Sequence, residues 1–201
     1  MGTLFRRSAR RTSAVLSGLA LGLVLLCSLA PRAASATVLT QLSLSDMAAR
    51  SAHVLVGTVE LVRPQLLPGQ GVIVTEVTVR CTRALRGVRE GQVLTVRHLG
   101  GTVNGIGQRV FGEASYRVGE EVLLLAEERA GSYYAVGMAQ GALHIDRSSG
   151  APRVHVQLEG AELLAPSGQV VAQPQTEGAP LERVVSELEA LLARTPAPGG
   201  K

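Results

Sequence analysis

HVLVGTVELVRPQLLPGQGVIVTEVTVRCT, residues 53–82, is the stretch on which the fold turns. Residues 53–62 are rich in β-branched side chains and run up to Pro64. Residues 72–82 place Ile73, Thr75, Val77, Val79 and Cys81 two apart, so all five share one face of an extended strand. Between them LPGQG (67–71) supplies a Pro-Gly turn. A period of two on both sides of a turn specifies a long antiparallel hairpin.

The pattern changes upstream. In LSLSDMAARSA (42–52), Ser43 and Asp46 have the spacing of a capping box, and Leu42 and Met47 that of a hydrophobic staple, so a short helix is expected over 44–52. Downstream, 84–92 is a turn or connector and VLTVRHL (93–99) a third strand. VLLLAEE (122–128) is a short, continuous apolar run, as expected of a strand buried on both faces. Ala130-Gly131 turns the chain into 132–140. ALHID (142–146) and RVHVQ (153–157) read as a hairpin in which Asp146 faces Arg153 and His144 faces His155. Leu143 and Ile145 then face Val156 and Val154, giving one apolar side and one polar side crowned by a charge pair. Residues 162–172 suggest another hairpin around 166–168, and 173–179 a linker. Residues 180–194 form an amphipathic helix with Pro180 in its first turn and Leu181, Val184, Val185, Leu188, Leu191 and Leu192 on one stripe. Residues 195–201 read as a disordered tail. Short strands without intervening helices imply a mainly β domain, sandwich or barrel, with a helix near each end.

Residues 1–36 stand apart. Four arginines precede the apolar run of residues 13–30, and Ala34-Ser35-Ala36 follows, the layout of a secretory signal peptide cleaved between Ala36 and Thr37. The rival expectation is an uncleaved membrane anchor. Arg6, Arg7, Arg10, Arg11 and Arg32 precede Thr37 and all 16 acids follow it, so 15 bases face 16 acids over residues 37–201. The basic balance thus belongs to the leader and lends no support to nucleic-acid binding. Phe111, Tyr116, Tyr133 and Tyr134 are the only aromatics after the leader, too few for a base-stacking platform. Arg80, Arg83, Arg86 and Arg89 recur every third residue and read as a solvated edge or turn, with a patch for an acidic partner as the alternative. Cys81 stands alone after processing, which precludes an intramolecular disulfide, and its place in the apolar series marks a buried thiol.

Catalytic signatures are weak. GGTVNGIGQRVFG (100–112) has the composition of a phosphate loop, but its spacing fits neither a dinucleotide fingerprint nor a P-loop, and a strand follows instead of a helix. Its glycines suit a hairpin or crossing loop, with Gln108 and Arg109 as a polar tip. His144, Asp146 and His155 are the candidate metal ligands, two imidazoles and a carboxylate on one hairpin face. No G-x-S-x-G elbow is present, and no cofactor is expected.

The order LSLSDMAARSAHVLVGTV, VTEVTVRCTRALRG, GGTVNGIGQ, YRVGEEVLLLAEE and GMAQGALHI resembles a group of uncharacterised secreted bacterial proteins. More distantly it is similar to the netrin-like domains of tissue inhibitors of metalloproteinases; the likeness covers about residues 42–146. It implies an OB-like antiparallel barrel, placed with the strand pattern as five or more strands over 37–158; the hairpin and linker (159–179) and the helix of 180–194 follow from the residue pattern alone. It also implies binding to a protein, an exported protease among the candidates, but the inhibitors' N-terminal zinc-chelating cysteine has no counterpart, because Thr37 occupies that place. The leading expectation is a secreted or periplasmic, non-enzymatic binding module with Gln108, Arg109, Tyr133 and Tyr134 as contact residues. An envelope module anchored by its leader and a metal-dependent enzyme using His144 and His155 are the alternatives.

Overall fold

The computed structural model describes residues 37–198. The predicted leader, its cleavage point after Ala36, the anchor alternative and residues 199–201 lie outside them. Among the described residues no helix is long and apolar enough to cross a membrane.

The chain is mainly β. Strand β1 (Thr37–Thr40) leads into helix α1 (Leu44–Arg50), where Ser43 caps the helix and Asp46 reaches back to the Ser43 amide, completing the capping box. The hairpin read from residues 53–82 is present and longer than expected: β2 (His53–Leu66) pairs with β3 (Ile73–Arg86). Pro64 does not end β2. It lies beyond the last residue of β2 that has a partner on its second side, where a missing ladder donor is tolerated. β4 (Val93–Leu99) follows as predicted, then a miniature hairpin, β5 (Gly101–Val103) and β6 (Ile106–Gln108). β7 (Glu121–Arg129) and β8 (Ser132–Ala135) are joined by Ala130-Gly131, both at positive φ. β9 (Ala142–Asp146) and β10 (Arg153–Val156) form the next hairpin, β11 (Ala161–Leu164) and β12 (Val170–Val171) another, and α2 (Leu181–Leu192) closes the described fold.

Seven strands form one sheet in the order β10-β9-β7-β2-β3-β4-β8, and β7 also pairs with β8. Strands β2, β3, β4, β8 and β7 therefore make a closed circuit, the ring-like form of the expected OB-like architecture. Its closure departs from pure antiparallel pairing: β4 and β8 run parallel and meet through Val96 and Tyr133. β7 has β2 on one side, and on the other it has first β9 and then β8.

Alternation along β7 divides the apolar residues between two cores. Val122, Leu124 and Ala126 point into the ring with Leu55, Val59, Val77, Val79 and Cys81. Leu123 and Leu125 point outward and are covered by Met47 and Ala48 of α1 and by Val184, Val185 and Leu188 of α2. The continuous apolar run is thus buried on both sides, as its sequence required. Its four leucine and valine side chains at 122–125 are fully buried, and removing any one to Ala would cost about 2–5 kcal/mol.

One expectation needs correction. Of the arginines spaced by three, Arg89 is exposed in a turn as expected, but Arg80, Arg83 and Arg86 are engaged within the chain. Arg86, Arg83 and Arg80 pair with Val54, Val56 and Thr58, residues two apart on β2, because Thr82 and Leu85 are extra residues bulged out of β3. Each bulge converts a spacing of three into one face, so all three side chains emerge on the helix-covered side. Arg83 binds Glu182 and Glu189 of α2 at 2.9 and 3.0 Å. Arg80 binds Glu60, and Arg86 reaches the ends of both helices. The hairpin expected within 162–172 is present, with β11 antiparallel to β12, and β11 also lies parallel to β1 with Thr37 opposite Ala161.

Candidate functional site

The glycine stretch resolves as a brace around a cleft. Asn104 and Gly105 both have positive φ, the geometry of a two-residue hairpin turn, and Asn-Gly is the pair that adopts it most readily. Gly101, at φ 132°, lies so close to β2 and β3 that a Cβ would sit 2.5 Å from the Thr75 hydroxyl and 2.9 Å from Pro64. Thr75 donates to the Gly100 carbonyl at 2.7 Å, and the Ile73 amide donates to the Gln108 side-chain oxygen at 2.7 Å. Gln108 is therefore a structural tie to β3 and not a polar tip; Asn104 and Gly105 form the exposed turn, and the exposed Ile106 follows it. Arg109 is exposed, bound to Glu159 at 2.6 Å and stacked over Phe111 at 5.4 Å.

Between this hairpin, the end of β4 and residues 109–115 lies a cleft of about 200 Å³ whose lining includes His98, Leu99, Gln108, Arg109, Glu113 and Ser115. β4 has no neighbouring strand at Leu99 on this side, and side chains answer its backbone instead. The Leu99 amide donates to Glu113 at 3.2 Å, and the Leu99 carbonyl is 3.1 Å from His98 Nδ1. That contact suits the neutral tautomer with its proton on Nδ1. Burial pushes the Glu113 carboxyl above the usual range, opposed by the Leu99 amide and by Arg129. Burial pulls the His98 imidazole down, opposed by its contact with the Leu99 carbonyl. A carboxyl raised and an imidazole lowered in one cleft mark a place where charge has been removed from water without full compensation.

The other predicted site residues are dispersed. The register foreseen for β9 and β10 is observed: Asp146 opposite Arg153 and His144 opposite His155. The expected charge pair does not form. Asp146 accepts from the amide and hydroxyl of Ser148 at 2.7 and 2.9 Å, while Arg153 donates to the Gly178 carbonyl. Nor is the His144 side a solvated polar face. His144 is only 8% exposed, next to Tyr116 at 5.9 Å between ring centroids. Its Nδ1 is 3.4 Å from a Glu120 oxygen, within reach of an ion pair but too poorly aligned for a hydrogen bond, so both ring nitrogens lack a partner. Burial lowers the His144 pKa, with Glu120 acting against it. His155 Nδ1 instead meets Glu177 at 2.7 Å. Among the described residues no group of three or more His, Cys, Asp or Glu is arranged to hold a metal ion. Asp146 and His155 thus have separate partners, and His144 has only its loose approach to Glu120.

Tyr133 stands edge-on to His53 at 4.6 Å between centroids, and Tyr134 lies under Arg129 at 4.8 Å. Both are half-buried and engaged within the chain. Cys81 is buried, and burial raises its thiol pKa, with Glu90 adding to the effect, so it is a structural thiol. Sequence reasoning overlooked His98 and Glu113. The available signal was their position, each a titratable residue flanking the glycine stretch.

In comparisons with known proteins, the chain matches no family model, no curated protein and no solved structure.

Proposed function

We propose that this chain is an exported, non-enzymatic β module, secreted or periplasmic, that binds another protein through the end of the ring formed by the glycine hairpin. One observation carries the reading: each of the three segments that wall the cleft carries an exposed apolar side chain. Leu99 and Phe111 are each 40% exposed, and Ile106, next to the turn of the hairpin that walls the cleft, is 67% exposed. Exposed apolar groups on the walls of a polar cleft are a feature of contact surfaces, and loops on a rigid scaffold are where binding residues concentrate. The netrin-like resemblance of residues 42–146 points the same way.

The test is affinity capture from culture supernatant or periplasmic extract, with wild type beside a variant carrying Ile106→Ser and Phe111→Ser. Recovery of one partner by wild type and its loss with the variant is the expected result. Equal recovery by both forms, or none by either, would sink the reading.

A further inference from the structure

Resting on that reading, we propose that the cleft beside β4 receives one basic side chain, lysine or arginine, from the protein partner, with Glu113 as its counter-ion. Glu159, which shares the cleft lining, and other acids of the sheet are answered internally. Glu159 holds Arg109, Glu127 holds Arg50 and Arg129, and Glu76 holds Arg63 and Arg97. Glu113 has no Arg, Lys or His within ion-pair distance among the described residues, although its carboxyl is half-buried and walls a cavity. Its one bond inside the chain comes from the Leu99 amide, which leaves acceptor capacity unused. The cations nearest the cleft are committed: Arg109 to Glu159 on the rim and Arg129 to Glu127 at 3.2 Å. Burial disfavours a compensating charge on His98.

Size and lining choose the occupant. About 200 Å³ falls below the roughly 300–1,000 Å³ of pockets that enclose a cofactor or drug-sized molecule. A single long side chain suits it better. Gly100, Gly101, Val110 and Ala114 offer apolar wall for an aliphatic stem, while its charged head meets Glu113. The exposed Leu99 and Phe111 beside it would pack on the backbone that carries that side chain.

The experiment follows backbone amide shifts of the ¹⁵N-labelled full chain during titration with N-acetyl-lysine-N-methylamide and, separately, its neutral norleucine counterpart. The expected result is a saturable shift of the Leu99 and Ala114 amides with the lysine probe alone. An isolated side chain should bind with Kd of about 1–10 mM. Glu113→Gln keeps an acceptor for the Leu99 amide and should weaken the lysine probe about tenfold, the loss of one charge-assisted hydrogen bond. Equal shifts with norleucine, no shift at either amide, or undiminished binding by Glu113→Gln overturns the proposal. The norleucine arm is read on wild type and needs no variant to fold. Partner capture then separates the two readings. A partner held equally by wild type and Glu113→Gln overturns the cleft assignment while the contact surface stands. Lysine-probe binding with no partner captured overturns the contact surface, and with it the partner as the source.

Discussion

Replacing Arg86 by alanine should destabilise the fold by about 3 kcal/mol. The Arg86 guanidinium sits where both helices end. Nη1 donates to the carbonyls of Ala48 and Ser51 at 3.0 and 3.3 Å, and Nη2 to those of Leu192, at 2.9 Å, and Thr195. Ala48 and Leu192 lie in the last turns of α1 and α2, where carbonyls lack a helical amide to accept from, while Ser51 caps α1 and Thr195 follows α2. One charge-assisted hydrogen bond contributes about 1.5–3 kcal/mol, and a cation at a helix C-terminus adds about 0.3–1 kcal/mol. Four such bonds share one charge, and water can reach the half-buried site once the side chain is gone, so the sum saturates near one strong bond plus two helix-end effects. At about 2–4 °C per kcal/mol for a domain of this size, Tm should fall by roughly 6–12 °C. Arg86→Lys keeps the charge but not the fork, and should lose about half as much. Arg89, exposed and without a side-chain bond, is the control: its alanine variant should lie within about 0.5 kcal/mol of wild type. Urea unfolding of the three variants, with hydrogen exchange at Ala193 and Arg194, gives the answer. If Arg86→Ala is no less stable than Arg89→Ala, the guanidinium does not join the helices and the reasoning fails.

Three further outcomes are expected. Gly101→Ala should cost about 2–3 kcal/mol, through a positive φ and overpacking against Thr75 and Pro64. Gly105→Ala, strained in φ but facing open space, should cost only about 1 kcal/mol, and paired urea melts distinguish them. His144 should weaken the fold in acid: its folded pKa is held below that of the unfolded chain, so its contribution is intact above about pH 6.5 and is lost as pH falls from there towards the folded value. His144→Leu should therefore flatten the decline of Tm between about pH 7 and 5, leaving the share from His98; an unchanged slope would contradict this. Cys81 should resist iodoacetamide in the native protein and react only as the chain unfolds, followed by intact mass with and without urea.

Local features of this chain were legible in its sequence. The capping box at Ser43 and Asp46, the two-sided burial of residues 122–126 and the β9–β10 register each depend on residues close together in the chain, so spacing alone carried them. Distant contacts were not legible. The polar side of β9 turned inward because β9 pairs with β7, which places His144 against Tyr116 and Glu120, and no alternation pattern reveals which face a neighbouring strand will enclose. The arginine series misled for a related reason. Two bulges changed the period of β3, and the acids that meet Arg83 lie about a hundred residues away in α2. At the candidate site, the glycines correctly signalled a hairpin, but Gln108 was assigned to solvent when its partner was the Ile73 amide. Glu113 escaped notice because its significance comes from lacking a cation, a property that appears only in three dimensions.

The parallel pairing of Thr37–Thr40 with Ala161–Leu164 also sets an order in time. The β2–β3 hairpin can form as soon as residue 86 is available, whereas β1 must wait for a partner some 120 residues further on, a loop whose closure comes late in folding. Until then Val38 and Leu39 offer an unpaired edge that a chaperone, a protease or a second copy of the chain can reach. A nascent chain halted before residue 161 should be open to cleavage near Thr37–Thr40 while its central hairpin is already protected.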